Sequence, residues 1–323
     1  MSLSTLGSGS LILDIETVPD RELWSPPAVD GAGAPTERER AFPPLYACRP
    51  IVIGLIWLDD GLSCRRIGIL GEDKPEADAM ADLADFVARV KPLIVTWNGR
   101  SFDLPVLALR ALRHGVDFSW YYRGIGYRYR FSEDGHLDLG DVISDFGAAR
   151  MTSLDGAARL IGLPGKLGID GSQVEGLFQA GEMDALRRYC LSDVAQTTFV
   201  LLRYRLVTRD ISLDTYRRAA EGLLEALRAD GRFGPLLDGI DRQMLLLPHA
   251  RERPAPTRST AAAPASPERP PLDDRPEGEA GNAGSAPAGS APAGGAPTGS
   301  TDLPEETPPD LLPELPPEPF PES

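Results

Sequence analysis

The chain has 323 residues, a formal net charge of −15, and 42% hydrophobic against 25% charged residues. No apolar run reaches the ~18 residues of a membrane helix, and no charged segment leads into an apolar one at the N-terminus, so a soluble cytoplasmic protein is expected. The cysteines, Cys48, Cys64 and Cys190, form no C-x-x-C pair and exclude a zinc or disulfide framework, while the acidic balance argues against coating nucleic acid by bulk charge.

Composition divides the chain. Residues 251–323 hold 18 of the 31 prolines, carry a net charge of −8 and run through repeats such as Ala286-Pro287-Ala288-Gly289-Ser290. Such a segment buries too little apolar surface to offset the entropy of ordering, so a disordered tail is expected there. Residues 1–230 read as one globular domain and 231–250 as a boundary segment.

The first element is Leu11-Ile12-Leu13-Asp14-Ile15-Glu16-Thr17. Residues two apart in a strand share a face, so Asp14 and Glu16 project together from its end. Side by side they repel unless a cation lies between them, and hard oxygen ligands suit Mg²⁺ or Mn²⁺. A solvated strand end is the plain alternative. Residues 20–47, rich in Pro, Gly and charge, read as a surface excursion. Residues 51–58, closed by Asp59-Asp60-Gly61, and residues 65–70 read as an antiparallel pair of strands.

Residues 76–90 carry apolar side chains at helical spacing and stop before Pro92. Residues 93–97 form a short buried strand broken by Asn98-Gly99, and 104–114 a helix with Asp103 at its opening. Trp120-Tyr121-Tyr122-Arg123 and Tyr127-Arg128-Tyr129-Arg130 interleave aromatics with arginine, a mixture that suits stacking and phosphate contact with single strands. The alternative is a twisted hairpin whose tyrosines cover the core. Residues 137–139 form a last short strand. Helices follow from Ser153 to Gly162, over 183–206 and over 213–229. The order predicts an α/β sandwich with a mixed five-stranded sheet, whose ligands gather at strand carboxyl ends.

Tyr189 and Asp193, four apart, share one helix face. Asp14, Glu16, Asp103 and Asp193 then make four carboxylates on elements able to converge. Phosphodiester hydrolysis by two divalent ions about 3.5–4 Å apart wants such a set.

Asp14-Ile15-Glu16-Thr17, Asn98-x-x-x-Phe102-Asp103 and Tyr189-x-x-x-Asp193 resemble, in that order, the three motifs of the DEDDy class of 3′–5′ exonucleases. Over residues 10–210 the chain is similar to stand-alone exonucleases related to the exonuclease domain of family B DNA polymerases, with His136-Leu137-Asp138-Leu139 and Ser153-Leu154-Asp155 in support. The resemblance implies a ribonuclease H-like three-layer fold and two divalent ions, Mg²⁺ or Mn²⁺. It implies that Asp14 bridges both ions, Glu16 and Asp193 complete one site, Asp103 serves the other, and Tyr189 orients the attacking water. Arg188 stands where the sister class carries a catalytic His.

Expected substrate contacts are Thr17, Asn98 and Phe102 from the motifs and Tyr127, Arg128, Tyr129 and Arg130 from the aromatic segment. The expected substrate is the 3′ end of single-stranded DNA, releasing nucleoside monophosphates. RNA stays open, since no residue is identifiable as a reader of the 2′-hydroxyl, and so does a non-catalytic interaction module on the same fold. No membrane partner is expected. The Pro-Glu-Leu-Pro-Pro-Glu pattern of the tail is a candidate protein-binding segment.

Overall fold

In the computed structural model of the chain, which describes residues 9–26, 42–72 and 74–250, the acid-bearing strand is the middle of the sheet. The sheet runs β3-β2-β1-β4-β5. β1 (Ser10–Pro19) pairs antiparallel with β2 (Cys48–Leu58), which pairs antiparallel with β3 (Cys64–Leu70). On its other side β1 pairs parallel with β4 (Leu93–Thr96), and β4 with β5 (His136–Asp138).

The pleat of β1 sorts its side chains between two layers. Leu11, Leu13 and Ile15 pack with Met80, Leu83 and Val87 of α1 (Glu76–Val90) and with Leu104 and Leu107 of α2 (Asp103–His114). Ile12 faces the opposite way, into a core with Leu191, Val194 and Phe199 of α7 (Met183–Val207) and Leu223 and Leu227 of α8 (Leu213–Asp230). Each such buried aliphatic side chain contributes roughly 1.5–3 kcal/mol. β1 is thus packed on both of its faces. Shorter helices fill the connections: α3 (Ser119–Arg123), α4 (Leu139–Ile143), α5 (Leu154–Leu160) and α6 (Val174–Gln179).

A buried arginine fixes the end of β1 against this scaffold. Arg110 of α2, 2% exposed, donates to Asp20 at 2.8 Å and also pairs with Glu76 at the start of α1. A charge so deep holds only while partnered, and losing a partner of such a pair typically costs about 3–5 kcal/mol.

The expected elements are present, with three differences. Leu139 belongs to a helix rather than to a strand, because the Asp138 side chain accepts from Asp141 N and caps α4. The segment over 120–130 is not a hairpin: it folds as α3 and turns. Residues 231–250 do more than bound the domain. They form α9 (Gly234–Asp238) and α10 (Arg242–Leu246), and Phe233, Leu236 and Leu245 are buried in the α7–α8 core. The tail, 251–323, lies outside the described residues, as does most of the excursion between β1 and β2.

Candidate active site

The site lies where β1 outruns its neighbour. Parallel pairing with β4 ends at Ile12↔Val95, and beyond it the Ile15 N–H is taken by the Asp103 carboxylate, Oδ1 at 3.2 Å. Asp103 is the first residue of α2 and 4% exposed. It therefore occupies the gap that a longer β4 would close. Asp14 and Glu16, on the Ile12 face of β1, open toward α7.

The helix reaches them through a missing side chain. Gly54 of β2 is the register partner of Asp14. A Cβ there would lie 2.7 Å from Cys190 Sγ and 3.2 Å from Val194 Cγ2. Glycine lets α7 settle on the sheet, bringing Cys190 Sγ to 3.6 Å from Asp14 Oδ2. Tyr189 and Asp193, one turn apart on α7, come with it, and the tyrosine hydroxyl lies close enough to the Asp193 carboxylate to lower its pKa.

The electrostatics tie the four acids together. Burial raises the Asp14 carboxyl well above the usual range, and Asp103, Glu16 and Asp193 push it further. Burial likewise raises Glu16, with Asp193 and then Asp103 adding to it. Asp103 is raised by burial to about 7, with Asp138 adding and backbone N–H groups opposing. Burial raises Asp193 to about 7 against the pull of Lys166 and of the Tyr189 hydroxyl. Tyr189 is raised by burial and then by Asp193, Glu16 and Asp14, so its hydroxyl keeps its proton. A cluster of carboxylates so unwilling to ionise together fits the binding of cations, which relieve the repulsion. Asp14, Glu16 and Cys190 also offer ligand atoms all within 4.8 Å of one another.

The expected substrate contacts fall into distinct settings. Asn98 and Phe102 sit in the turn that delivers Asp103, with Phe102 edge-on to Phe42 at 5.6 Å. Thr17 lies beside Cys48, a residue of the α1–α2 core. Tyr127 does not offer a stacking face. It is 6% exposed, packs edge-on to Trp120, and donates its hydroxyl to Pro92 O at 3.1 Å. The Arg130 guanidinium is likewise engaged, forked on Asp141 at 2.8 and 2.5 Å. Arg128 stays exposed, 5.7 Å over Tyr121 and 5.3 Å over Tyr122, and Tyr129 is 64% exposed.

Gly54, Cys190 and Lys166 escaped the sequence reading. Their signal is tertiary: nothing at their own positions marks a glycine in a strand, a thiol in a helix or a lysine in a loop as neighbours of the acids.

Fold and site together define an α/β domain with a buried carboxylate cluster at the end of its central strand. The family model described as a predicted 3′–5′ exonuclease related to the exonuclease domain of PolB matches residues 40–236, and the chain belongs to that family. It is a 3′–5′ exonuclease domain. The match takes in Asp103, Tyr189 and Asp193 and leaves out β1 with Asp14 and Glu16. No curated protein is detectably similar in sequence. The family B DNA polymerase of the archaeon Pyrobaculum calidifontis is 19% identical at a TM-score of 0.43, over 74% of this chain and 27% of that one. The zinc-bound E. coli exonuclease I–single-stranded DNA complex is 18% identical at a TM-score of 0.33, over 68% of this chain and 45% of that one. The chain thus spans less than half the length of either.

Proposed function

We propose that Asp14, Glu16, Asp103 and Asp193 hold two divalent ions, Mg²⁺ or Mn²⁺, and that the domain removes nucleotides from the 3′ end of single-stranded nucleic acid, DNA before RNA. Asp14, central among the acids, would be shared between them, with Glu16 and Asp193 completing one site and Asp103 serving the other. Bound there, the ions supply Lewis acidity at the phosphate and lower the pKa of a water. Tyr189, protonated and one turn from Asp193, would orient an attacking water toward the terminal phosphodiester. Arg128 on Tyr121 and Tyr122, with Tyr129, offers the exposed aromatic and cationic surface for the strand, a role for which Tyr127 and Arg130 are not free.

One observation carries the reading: β1, α2 and α7 bring four buried or half-buried acids together, where burial raises all four carboxyls and the neighbouring acids raise Asp14 and Glu16 further. Kinship with a polymerase exonuclease domain favours DNA. The test is incubation with end-labelled single-stranded DNA and RNA, with Mn²⁺ or with EDTA, reading polarity and product size. Mononucleotides released from DNA 3′ ends only with metal are expected. Faster trimming of RNA would reassign the substrate, and no hydrolysis of either would sink the proposal.

A further inference from the structure

The turn that delivers Asp103 is built from conformations that do not hold themselves. Asn98 has φ 63°, the left-handed region that non-glycine residues rarely adopt. A Cβ on Gly99 would lie 2.5 Å from Thr96 Cβ and Oγ1. Such strain persists only where the surroundings over-determine it.

A carboxylate from the neighbouring strand holds both ends of this corner. Asp138, at the end of β5, is 2% exposed. Its Oδ1 accepts from Asn98 N at 2.8 Å and from Asp141 N at 3.2 Å, and its Oδ2 accepts from Arg100 N at 2.9 Å. Both ends of the turn's strained corner thus hang on the two oxygens of a single side chain. A second tie reinforces the first: the Arg100 guanidinium donates to His136 O at 3.2 Å and lies 3.9 Å from the Asp141 carboxylate. The His136 ring, buried beside it, reaches Thr96 Oγ1 at 2.9 Å. From this corner the chain needs only a few residues to place Asp103 Oδ1 against Ile15 N.

We infer that Asp138 is a positioning residue for the exonuclease reaction, its two carboxylate oxygens clamping the Asn98–Arg100 corner so that Asp103 meets β1 in register with Asp14 and Glu16. The inference rests on the proposed role of Asp103 as a metal ligand. It gives Asp138 no contact with substrate or ion. Residues that orient ligands in this way typically matter by about 10–100-fold in metal affinity or activity when changed.

Asp138→Asn is the informative variant, because it keeps shape and volume. One of its two ends becomes an NH₂ group facing a backbone N–H, so one clamp is lost and replaced by a donor–donor clash. The variant should show kcat lowered about 10–100-fold with KM nearly unchanged, and Mn²⁺ binding, read by electron paramagnetic resonance without substrate, weakened by a similar factor. Wild-type kcat and Mn²⁺ affinity, with only a lower melting temperature, would reduce Asp138 to a structural residue and overturn the inference. Amide hydrogen exchange on the wild-type protein tests it without any variant. The Asn98 and Arg100 amides, though in a turn, should be protected as strongly as those of β1; fast exchange there would overturn the clamp. A wild-type protein that binds no Mn²⁺ would sink the metal-site reading itself, a result distinct from an intact site indifferent to Asp138.

Discussion

The Ile15 N–H donates to Asp103 Oδ1 across 3.2 Å, so one acid of the site is fixed by the strand that carries two others. The bond occupies one carboxylate oxygen and leaves the other for a ligand. It also joins catalysis to folding, since a β1 amide depends on an α2 side chain.

Two substitutions separate those roles. Asp103→Asn keeps an oxygen for Ile15 N and removes the charge, so it should fold with wild-type or higher stability and lose nuclease activity. Asp103→Ala leaves a buried N–H unpaired, which costs about 1–3 kcal/mol, and should be both inactive and less stable. Denaturant titrations of the two, read beside a nuclease assay, check this. Equal stability of Asn and Ala variants would mean that the Ile15 bond carries no weight.

Gly54→Ala tests how closely α7 must approach. Its Cβ would meet Cys190 Sγ at 2.7 Å, and overpacking of that kind costs about 1–3 kcal/mol. Backing α7 away also moves Tyr189 and Asp193, so the rate should fall further than stability alone explains. Adding Cys190→Ala makes room for the methyl group, and the double variant should recover most of both losses. Purely additive effects in the cycle would deny the contact.

Tyr189→Phe keeps the ring and removes the hydroxyl beside Asp193. Removing one positioned hydrogen-bonding group in a catalytic site costs on the order of 10²–10³ in rate. Slow hydrolysis with near-normal Mn²⁺ affinity is expected; loss of metal binding would make Tyr189 part of the metal site instead.

The strands and long helices were legible because their signals are local: apolar runs bounded by Asp59-Asp60-Gly61 and Asn98-Gly99, and helical spacing stopped by Pro92. The four acids and Tyr189 were legible as motif members. What the sequence could not show is which side of a residue the fold uses. Tyr127 and Arg128 are adjacent and look equally suited to a single strand, yet one ring is buried against Trp120 and the other side chain is exposed on Tyr121 and Tyr122. Asp138 reads as one acid in a short strand until β5 is set beside β4, when its carboxylate meets two amides 38 and 40 residues away.

That contrast is measurable. Tyr127→Phe loses the hydroxyl bond to Pro92 O and should lower stability by about 1 kcal/mol with unchanged affinity for a single-stranded oligonucleotide. Arg128→Ala should do the reverse, weakening binding in a salt-dependent way while the melting temperature holds. If binding follows Tyr127 rather than Arg128 in fluorescence anisotropy, the strand does not use the exposed surface.

The acid cluster predicts how stability depends on pH and metal. Burial and mutual repulsion raise Asp14 and Glu16, and Asp103 and Asp193 stand at about 7. In the unfolded chain these groups ionise near their ordinary values, about 4. Each raised carboxyl therefore contributes stability that is fully present below the unfolded value and is lost as pH rises through the folded one. The metal-free protein should melt at progressively lower temperature from pH 5 to pH 8. Asp141 runs the other way, since its hydrogen bond from Arg130 holds its carboxyl low and its contribution fades only toward acid pH. Mn²⁺ binds the ionised cluster, so its stabilising effect should be largest at pH 8 and small at pH 5. Asp14→Asn removes the group at the centre of the repulsion. It should flatten the pH slope of the metal-free protein, cut the Mn²⁺ effect and abolish hydrolysis at any metal concentration. A metal-free melting temperature that stays level or rises across this window, with the same Mn²⁺ shift at both ends, would show that the four acids do not share one site.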